Sequence, residues 1–249
     1  MLNKKIISIL LMLSIAFSLQ SAYKSNQYMK VIDVKGRVKI SSQKAIVKPA
    51  QNGDLLFSKD NISTEGNSSL TSYLESNNIF KVKENSSLNI DESYDKTGNT
   101  KLHLNKGDFL IAVSSNAKPD SIIVSTSNAN IKVSGVASIS YTNGNTKAQF
   151  IYGDGEINGT KVNQFMEANI DNSNKLSIKD IELNQDLTNT INEIISMPYV
   201  ETVVDEKIDI NNIKNQISTE TNTAAETIDY VGNTNENITT FIITNETKR

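Results

Sequence analysis

From residue 29 to about residue 162, apolar and polar residues alternate in short runs separated by turn residues. A period of two places successive side chains on opposite faces of a strand, so each run predicts a β-strand with one buried face. MKVIDV (29–34) and GRVKI (36–40) come first, hinged at Gly36. SLTSYLES (69–76) sets Leu70 and Leu74 against Thr71, Tyr73 and Glu75, and Asn77-Asn78 offers a turn into IFKVK (79–83). There Phe80 and Val82 alternate with Lys81 and Lys83. KLHLNKGDFLIAV (101–113) reads as a strand pair broken at 105–107. SIIVS (121–125), NIKVS (130–134), VASISY (136–141) and KAQFIY (147–152) follow. Asn143-Gly144 is a strong hairpin signal, because a type I′ turn needs positive φ at both central residues. Gly153-Asp154-Gly155 reads as another tight turn. Strands at this spacing, with no helical pattern between them, predict an all-β sandwich or roll of short, mainly antiparallel strands. GDLL (53–56) recurs as GDFL (107–110), which suggests two β units of similar layout.

Beyond about residue 160 the pattern changes, and Asn, Thr, Glu and Ile dominate. In LNQDLTNTINEIISM (183–197), Leu183, Leu187, Ile191, Ile194 and Ile195 recur at helical spacing, and Pro198 supplies a stop. Ile210, Ile213 and Ile217 form a second stripe within 206–217. Residues 218–249 are polar and Asn/Thr-rich, and offer too little apolar area to offset chain entropy. The expected organisation is a signal peptide over 1–22, a β domain over 29–162, an extension with one or two amphipathic helices over 163–217, and a flexible tail over 218–249.

Charge and composition sharpen this picture. Lys4-Lys5 precede a twelve-residue apolar run at 6–17, and small residues follow, so export with cleavage after Ser18 or Ala22 is expected. Spanning a bilayer takes roughly 20 apolar residues, and Ser18, Gln20 and Ser21 interrupt the run before that length. The expected location is periplasmic or secreted. Hydrophobic residues make up 37% of the chain, which supports a core over part of it rather than all. The net charge is −3, so no global basic field would attract nucleic acid. Residues 160–249 hold fifteen acidic against seven basic side chains, a net of −8, so the first 159 residues carry +5.

The chain has no cysteine and a single histidine, which leaves no thiolate or multi-histidine metal site. His103 lies between Leu102 and Leu104 and reads as a polar-face strand residue. No nucleophile elbow, phosphate loop or dinucleotide fingerprint occurs. GDGEING (153–159) lacks the ligand series of a calcium loop and reads as a hairpin turn. Asp154 and Glu156 form a close carboxylate pair, but the chain has no Trp to line a sugar cleft. Phe80, Phe109, Tyr141, Phe150 and Tyr152 read as core or cross-strand pairs. The Asn-x-Ser/Thr sequences at Asn61, Asn67, Asn85 and Asn158 follow from an Asn-rich composition. No catalytic, cofactor-binding or metal-binding residue is nominated, and the chain is read as a non-enzyme.

The strand region resembles the extracytoplasmic domain of the FecR family, named for the ferric-citrate regulator. In the first half Gly53, Asp54, Leu55, Ile62, Thr64, Gly66, Ser68, Leu70, Asn85, Ser86 and Leu88 fall on the family pattern, with Glu65 inserted. In the second half Leu102, Leu104, Gly107, Thr126, Ala129, Val133, Gly135, Gly153 and Ile157 do so. The family's Gly-Thr pair is Gly135-Val136 here. The resemblance covers about residues 30–160 and implies a periplasmic or surface domain that works through protein contacts. Only five residues precede the apolar run, too few for the sigma-factor-contacting segment of the naming regulator, so no direct sigma-factor contact is expected. The expected function is a protein-binding, sensory or signalling module of the cell envelope. The alternative is a structural envelope or surface protein that binds cell-wall glycan.

Overall fold

A computed structural model describes residues 28–43, 46–74, 78–93, 99–114, 122–198, 200 and 215. The apolar run at 6–17, the second stripe at 206–217 and the Asn/Thr-rich tail lie outside the described residues, apart from Asn215. Among the described residues no helix is long and apolar enough to cross a membrane.

The chain is mostly β. The strands in order are β1 (Met29–Lys35), β2 (Val38–Ser41), β3 (Val47–Pro49), β4 (Leu55–Leu56), β5 (Asn61–Thr64) and β6 (Ser69–Leu74). Next come β7 (Asn78–Val82), β8 (Ser87–Glu92), β9 (Thr100–Ala112), β10 (Ile122–Ser125), β11 (Asn130–Val133) and β12 (Val136–Thr142). The series ends with β13 (Asn145–Tyr152), β14 (Gly155–Ile157), β15 (Thr160–Val162), β16 (Met166–Ile170) and β17 (Leu176–Asp180), and a helix, α1 (Gln185–Ile195), follows.

Pairing arranges the strands in two layers. The front layer runs β4-β1-β6-β7-β9-β12-β13-β16-β17. The back layer runs β3-β2-β5-β8-β9-β10-β11-β14-β15. All of these pairs are antiparallel except β9–β10. The long strand β9 belongs to both layers, with residues 101–106 pairing β8 at the back and 107–112 pairing β12 at the front. Its two halves are thus one bent strand, not the separate pair that Asn105 to Gly107 suggests in the sequence.

The layers are joined along one ridge. The chain passes between them at Gly36, Asn67, Asn85, Gly107, Gly135 and Gly153, each of which has positive φ. Backbone bonds tie neighbouring crossings together, among them Glu65 N–H to Arg37 O, Asn85 N–H to Glu65 O and Ser134 N–H to Asp154 O. Two crossings share one device. A Cβ on Gly36 would lie 2.4 Å from Ser68 Oγ, and one on Gly107 would lie 2.2 Å from Ser86 Oγ. Each serine hydroxyl instead accepts the N–H of the residue after the glycine, Arg37 at 2.8 Å and Asp108 at 2.9 Å. Glycine is required there by both positive φ and close approach.

Between the layers the inward side chains of both form one core that includes Val31, Leu70, Phe80, Phe109, Ala137, Ile139 and Phe150 from the front. Ile40, Ile62, Leu88, Leu102, Val124, Ile131 and Ile157 meet them from the back. The Phe80 and Phe109 rings stack at a tilt, 5.6 Å apart. A second core lies on the opposite face of the front layer, where Leu187, Ile191 and Ile194 of α1 cover Ile79, Leu110, Ala112, Val136 and Ile151. Each of these helix side chains contributes roughly 2 kcal/mol by leaving water. Asn184 starts the helix, its Oδ1 accepting the Leu187 N–H at 2.9 Å.

Three further sequence expectations shift. The Gly153–Gly155 segment is a crossing between layers rather than a hairpin turn, since β13 lies in front and β14 behind. The hairpin falls one step later at Asn158-Gly159, both with positive φ, where Ile157 pairs Thr160. Asn78 belongs to β7 instead of a turn, and its Oδ1 accepts the Ser114 N–H at 2.9 Å. Strands also run past Val162, through β16 and β17 to Asp180. The Asn143-Gly144 hairpin falls where the pattern places it, and the helix forms over Gln185–Ile195 within the expected stretch, with Leu183 left exposed ahead of the Asn184 cap. The repeat is real in layout but differently framed. β5–β8 and β11–β14 each cross from back to front, make a hairpin and return. GDLL and GDFL are not equivalent in it, because Leu55-Leu56 sits on the outermost front strand and residues 109–110 sit at the centre.

Candidate functional site: an open edge and a polar cleft

Two surfaces stand out. The first is the edge where β3 and β4 end the back and front layers. All three residues of β3 are exposed. Ile46 and Val47 are 60% and 62% exposed, and Leu55 and Phe57 are 40% and 41% exposed. Tyr28 is exposed beside them, one residue ahead of the Met29–Leu56 pair. Among the described residues the outer backbone groups of these terminal strands have no strand neighbour, and apolar side chains lie on them, a combination suited to pairing with another strand. The edge is held in shape by a Lys48–Asp54 ion pair and by the Gly53 N–H to Val31 O bond. Burial works to raise the Asp54 pKa, but the Lys48 ammonium and the Gln51 N–H hold it below the usual carboxylate value.

The second is a cleft of about 560 Å³ between the outer face of the front layer and the first turns of α1. Its floor includes Asp108, Ser138, Ser140, Lys147, Gln149 and Glu167. Its helix wall includes Asn184, Asp186, Asn189 and Thr190. Glu167 is fixed in place, accepting from Gln149 Nε2 at 2.8 Å and from Asn169 Nδ2 at 2.8 Å. Burial pushes its pKa up, and those two amides with Lys147 and Lys179 more than offset this, so it stays below its ordinary value.

The helix that walls the cleft is pinned by charge. Glu193 accepts from Lys81 Nζ at 2.8 Å and from Lys83 Nζ at 2.7 Å. Lys81 is only 7% exposed, although strand alternation in IFKVK puts it on the face away from the main core. Burial alone would raise the Glu193 pKa, and the two lysines hold it down instead.

The residues singled out in the sequence have partners within the fold. His103 lies on the outer face of the back layer, its Nδ1 2.9 Å from Ser125 Oγ. Asp154 pairs with Lys161 at 2.9 Å and accepts the Gln164 N–H, and its pKa is lowered, first by the Lys161 hydrogen bond. Glu156 pairs with Lys132 at 3.1 Å. Each carboxylate is therefore neutralised by its own lysine. Among the described residues no group of three His, Cys, Asp or Glu stands close enough to hold a metal ion. Thr64 Oγ1 accepts the Ser86 N–H at 2.9 Å and donates to Lys83 O, tying two crossings. Thr126 Oγ1 accepts the Ala129 N–H at 3.0 Å, while Thr126 N–H donates to Ala129 O, closing the turn before β11. Asn128, which the sequence did not mark, donates from Nδ2 to Gly144 O at 2.8 Å and to Asp171 O at 3.1 Å, so it staples that turn to two hairpins.

The fold thus defines a β module in which Thr64, Thr126 and Asn128 serve turns and crossings. Residues 60–157 match the family model described as FecR protein, which bears out the resemblance over the segment from just before β5 to the end of β14. No curated protein matches the chain. A crystal structure of a proposed anti-sigma factor from Parabacteroides distasonis is similar over 52% of this chain and 64% of that one, at 14% identity and a TM-score of 0.45.

Proposed function

We propose that this chain is an exported, non-enzymatic FecR-type β domain that acts as a protein-binding, sensory or signalling module in the cell envelope. The observation that carries this reading is the open edge, where Ile46, Val47, Leu55 and Phe57 present apolar side chains beside strands that end both layers. A partner strand laid along β3 would gain backbone hydrogen bonds and cover these side chains. The FecR match supports a regulatory rather than catalytic role. The neutralised Asp154 and Glu156 are poorly suited to acid–base work, since each is held by a lysine.

The test is capture of envelope proteins by immobilised full-length chain, compared with a Val47→Lys, Phe57→Glu double variant. The reading expects a membrane-protein fraction to yield a specific partner that the variant loses. Retention on purified cell wall, with the variant retained equally, would transfer the function to the glycan-binding alternative.

A further inference from the structure

Seven large apolar side chains stand exposed among the described residues, and they are unevenly placed. Five of them, Tyr28, Ile46, Val47, Leu55 and Phe57, lie on or next to β3 and β4, while Ile178 and Leu183 lie elsewhere. The backbone of β3 is partly ready for a further strand. Ser42 N–H donates to Ile46 O and Ala50 N–H to Val38 O, so by antiparallel alternation Ile46, Lys48 and Ala50 turn their backbone groups toward β2. Val47 and Pro49 turn theirs outward, which leaves one N–H and two carbonyls, because proline has no donor.

The sequence holds a segment suited to that edge. ITTFIIT (238–244) consists of Ile, Thr and Phe, types that favour strands, with no charge, Gly or Pro. Neither of its alternating rows is polar throughout: Ile238, Thr240, Ile242 and Thr244 form one, and Thr239, Phe241 and Ile243 the other. Side chains on paired strands share a face, so beside β3 one row would meet Val47 and the other Ile46. The fold also carries the chain toward this edge. The first turns of α1 wall the cleft above Lys147 and Glu167, and by Glu193 the helix has reached Lys81 and Lys83 at β7. Beyond β7 the front layer continues through β6 and β1 to β4. Val200 then joins the second core, whose margin includes Tyr73 of β6. Tyr73 and Leu55 pair with Lys30 from opposite sides, so their backbones lie about 10 Å apart. The 37 residues from 201 to 237 do not limit the reach, since even a continuous helix of that length would span about 55 Å.

We propose that residues 238–244 pair along β3 in the same molecule and cover the open edge, so that a partner strand must displace them. This rests on the reading of that edge as the docking surface and adds its regulation. Tethering gives such a segment an effective concentration up to the order of millimolar, which a second copy matches only in concentrated solution. By itself the segment cannot offset the entropy of ordering, but a preformed edge supplies both backbone partners and apolar cover.

Hydrogen exchange of the full-length chain alone, read by mass spectrometry on peptides covering 238–244, tests this. Exchange about tenfold or more slower than in an unstructured segment is expected there, unchanged on dilution. Val47→Pro deletes the outward N–H and leaves the bonds to β2 in place, and a Phe241→Lys, Ile243→Lys double variant removes one apolar row. Each should abolish the protection of 238–244 while peptides from β2 and β9 stay protected. Free exchange in 238–244 of the parent, protection that falls on dilution as a second copy dissociates, or protection that survives Val47→Pro would each overturn the proposal. Capture of an envelope protein by the edge despite free exchange in 238–244 would overturn it and leave the proposed function standing. Protection of 238–244 with no partner captured would support the covered edge and count against that function. Capture that increases in the double variant would support both.

Discussion

Replacing Glu193 with Ala should loosen α1 without unfolding the strands. Glu193 holds two lysines, and Lys81 beneath it is 7% exposed. The Glu193 and Lys83 side chains are 26% and 27% exposed, so water screens part of the interaction. Two charge-assisted hydrogen bonds, discounted for that screening, together with the cost of leaving Lys81 buried and unpaired, amount to about 2–3 kcal/mol. If α1 opens as a unit, its opening equilibrium should rise about 30- to 150-fold. Hydrogen exchange read by mass spectrometry on peptides covering 185–197 measures this directly, with peptides from β9 as the internal control. The Lys81→Met, Glu193→Leu pair should restore most of the protection, because two apolar side chains of similar size need no charge partner. The pH dependence has a fixed sign. The folded carboxyl sits below its ordinary value, so its contribution is complete above the unfolded value of roughly 4.3 and is lost as pH falls through the folded one. Helix protection that changes less than threefold in Glu193→Ala would place the pair among ordinary surface ion pairs and refute the reasoning.

The crossings give a paired test. Gly107→Ala must place a Cβ 2.6 Å from Ser86 Cα at positive φ, and should cost about 3 kcal/mol in urea denaturation. Gly53→Ala meets nothing within 4 Å and should cost only about 1 kcal/mol, and equal losses would show that steric approach at the ridge does not matter. Asn128→Ala removes the bonds to Gly144 O and Asp171 O and should cost about 2 kcal/mol by the same measurement. The Val47→Lys, Phe57→Glu variant should stay within about 0.5 kcal/mol of the parent, since both side chains are exposed, and a larger loss would assign them to packing rather than docking.

Much of this molecule is legible in short stretches of sequence. Alternation marks most of the strands, Asn143-Gly144 its hairpin, Gly36 the first crossing, and the Leu187, Ile191, Ile194 stripe the helix, because each depends on φ preferences or on a periodicity completed within a few residues. The same local signals mislead where a partner lies far along the chain. Gly107 looks like a break, yet pairing of β9 with β8 and β12 keeps the strand continuous through its bend. Gly153 to Gly155 look like a hairpin, yet β13 and β14 find neighbours in opposite layers. Lys81 looks solvated until α1, more than a hundred residues later, lies across it and supplies Glu193. Alternation determines that a strand has two faces, but only the tertiary structure decides what covers each. That choice, made by long-range pairing and burial, created the open edge at β3 and β4 and the polar cleft under α1.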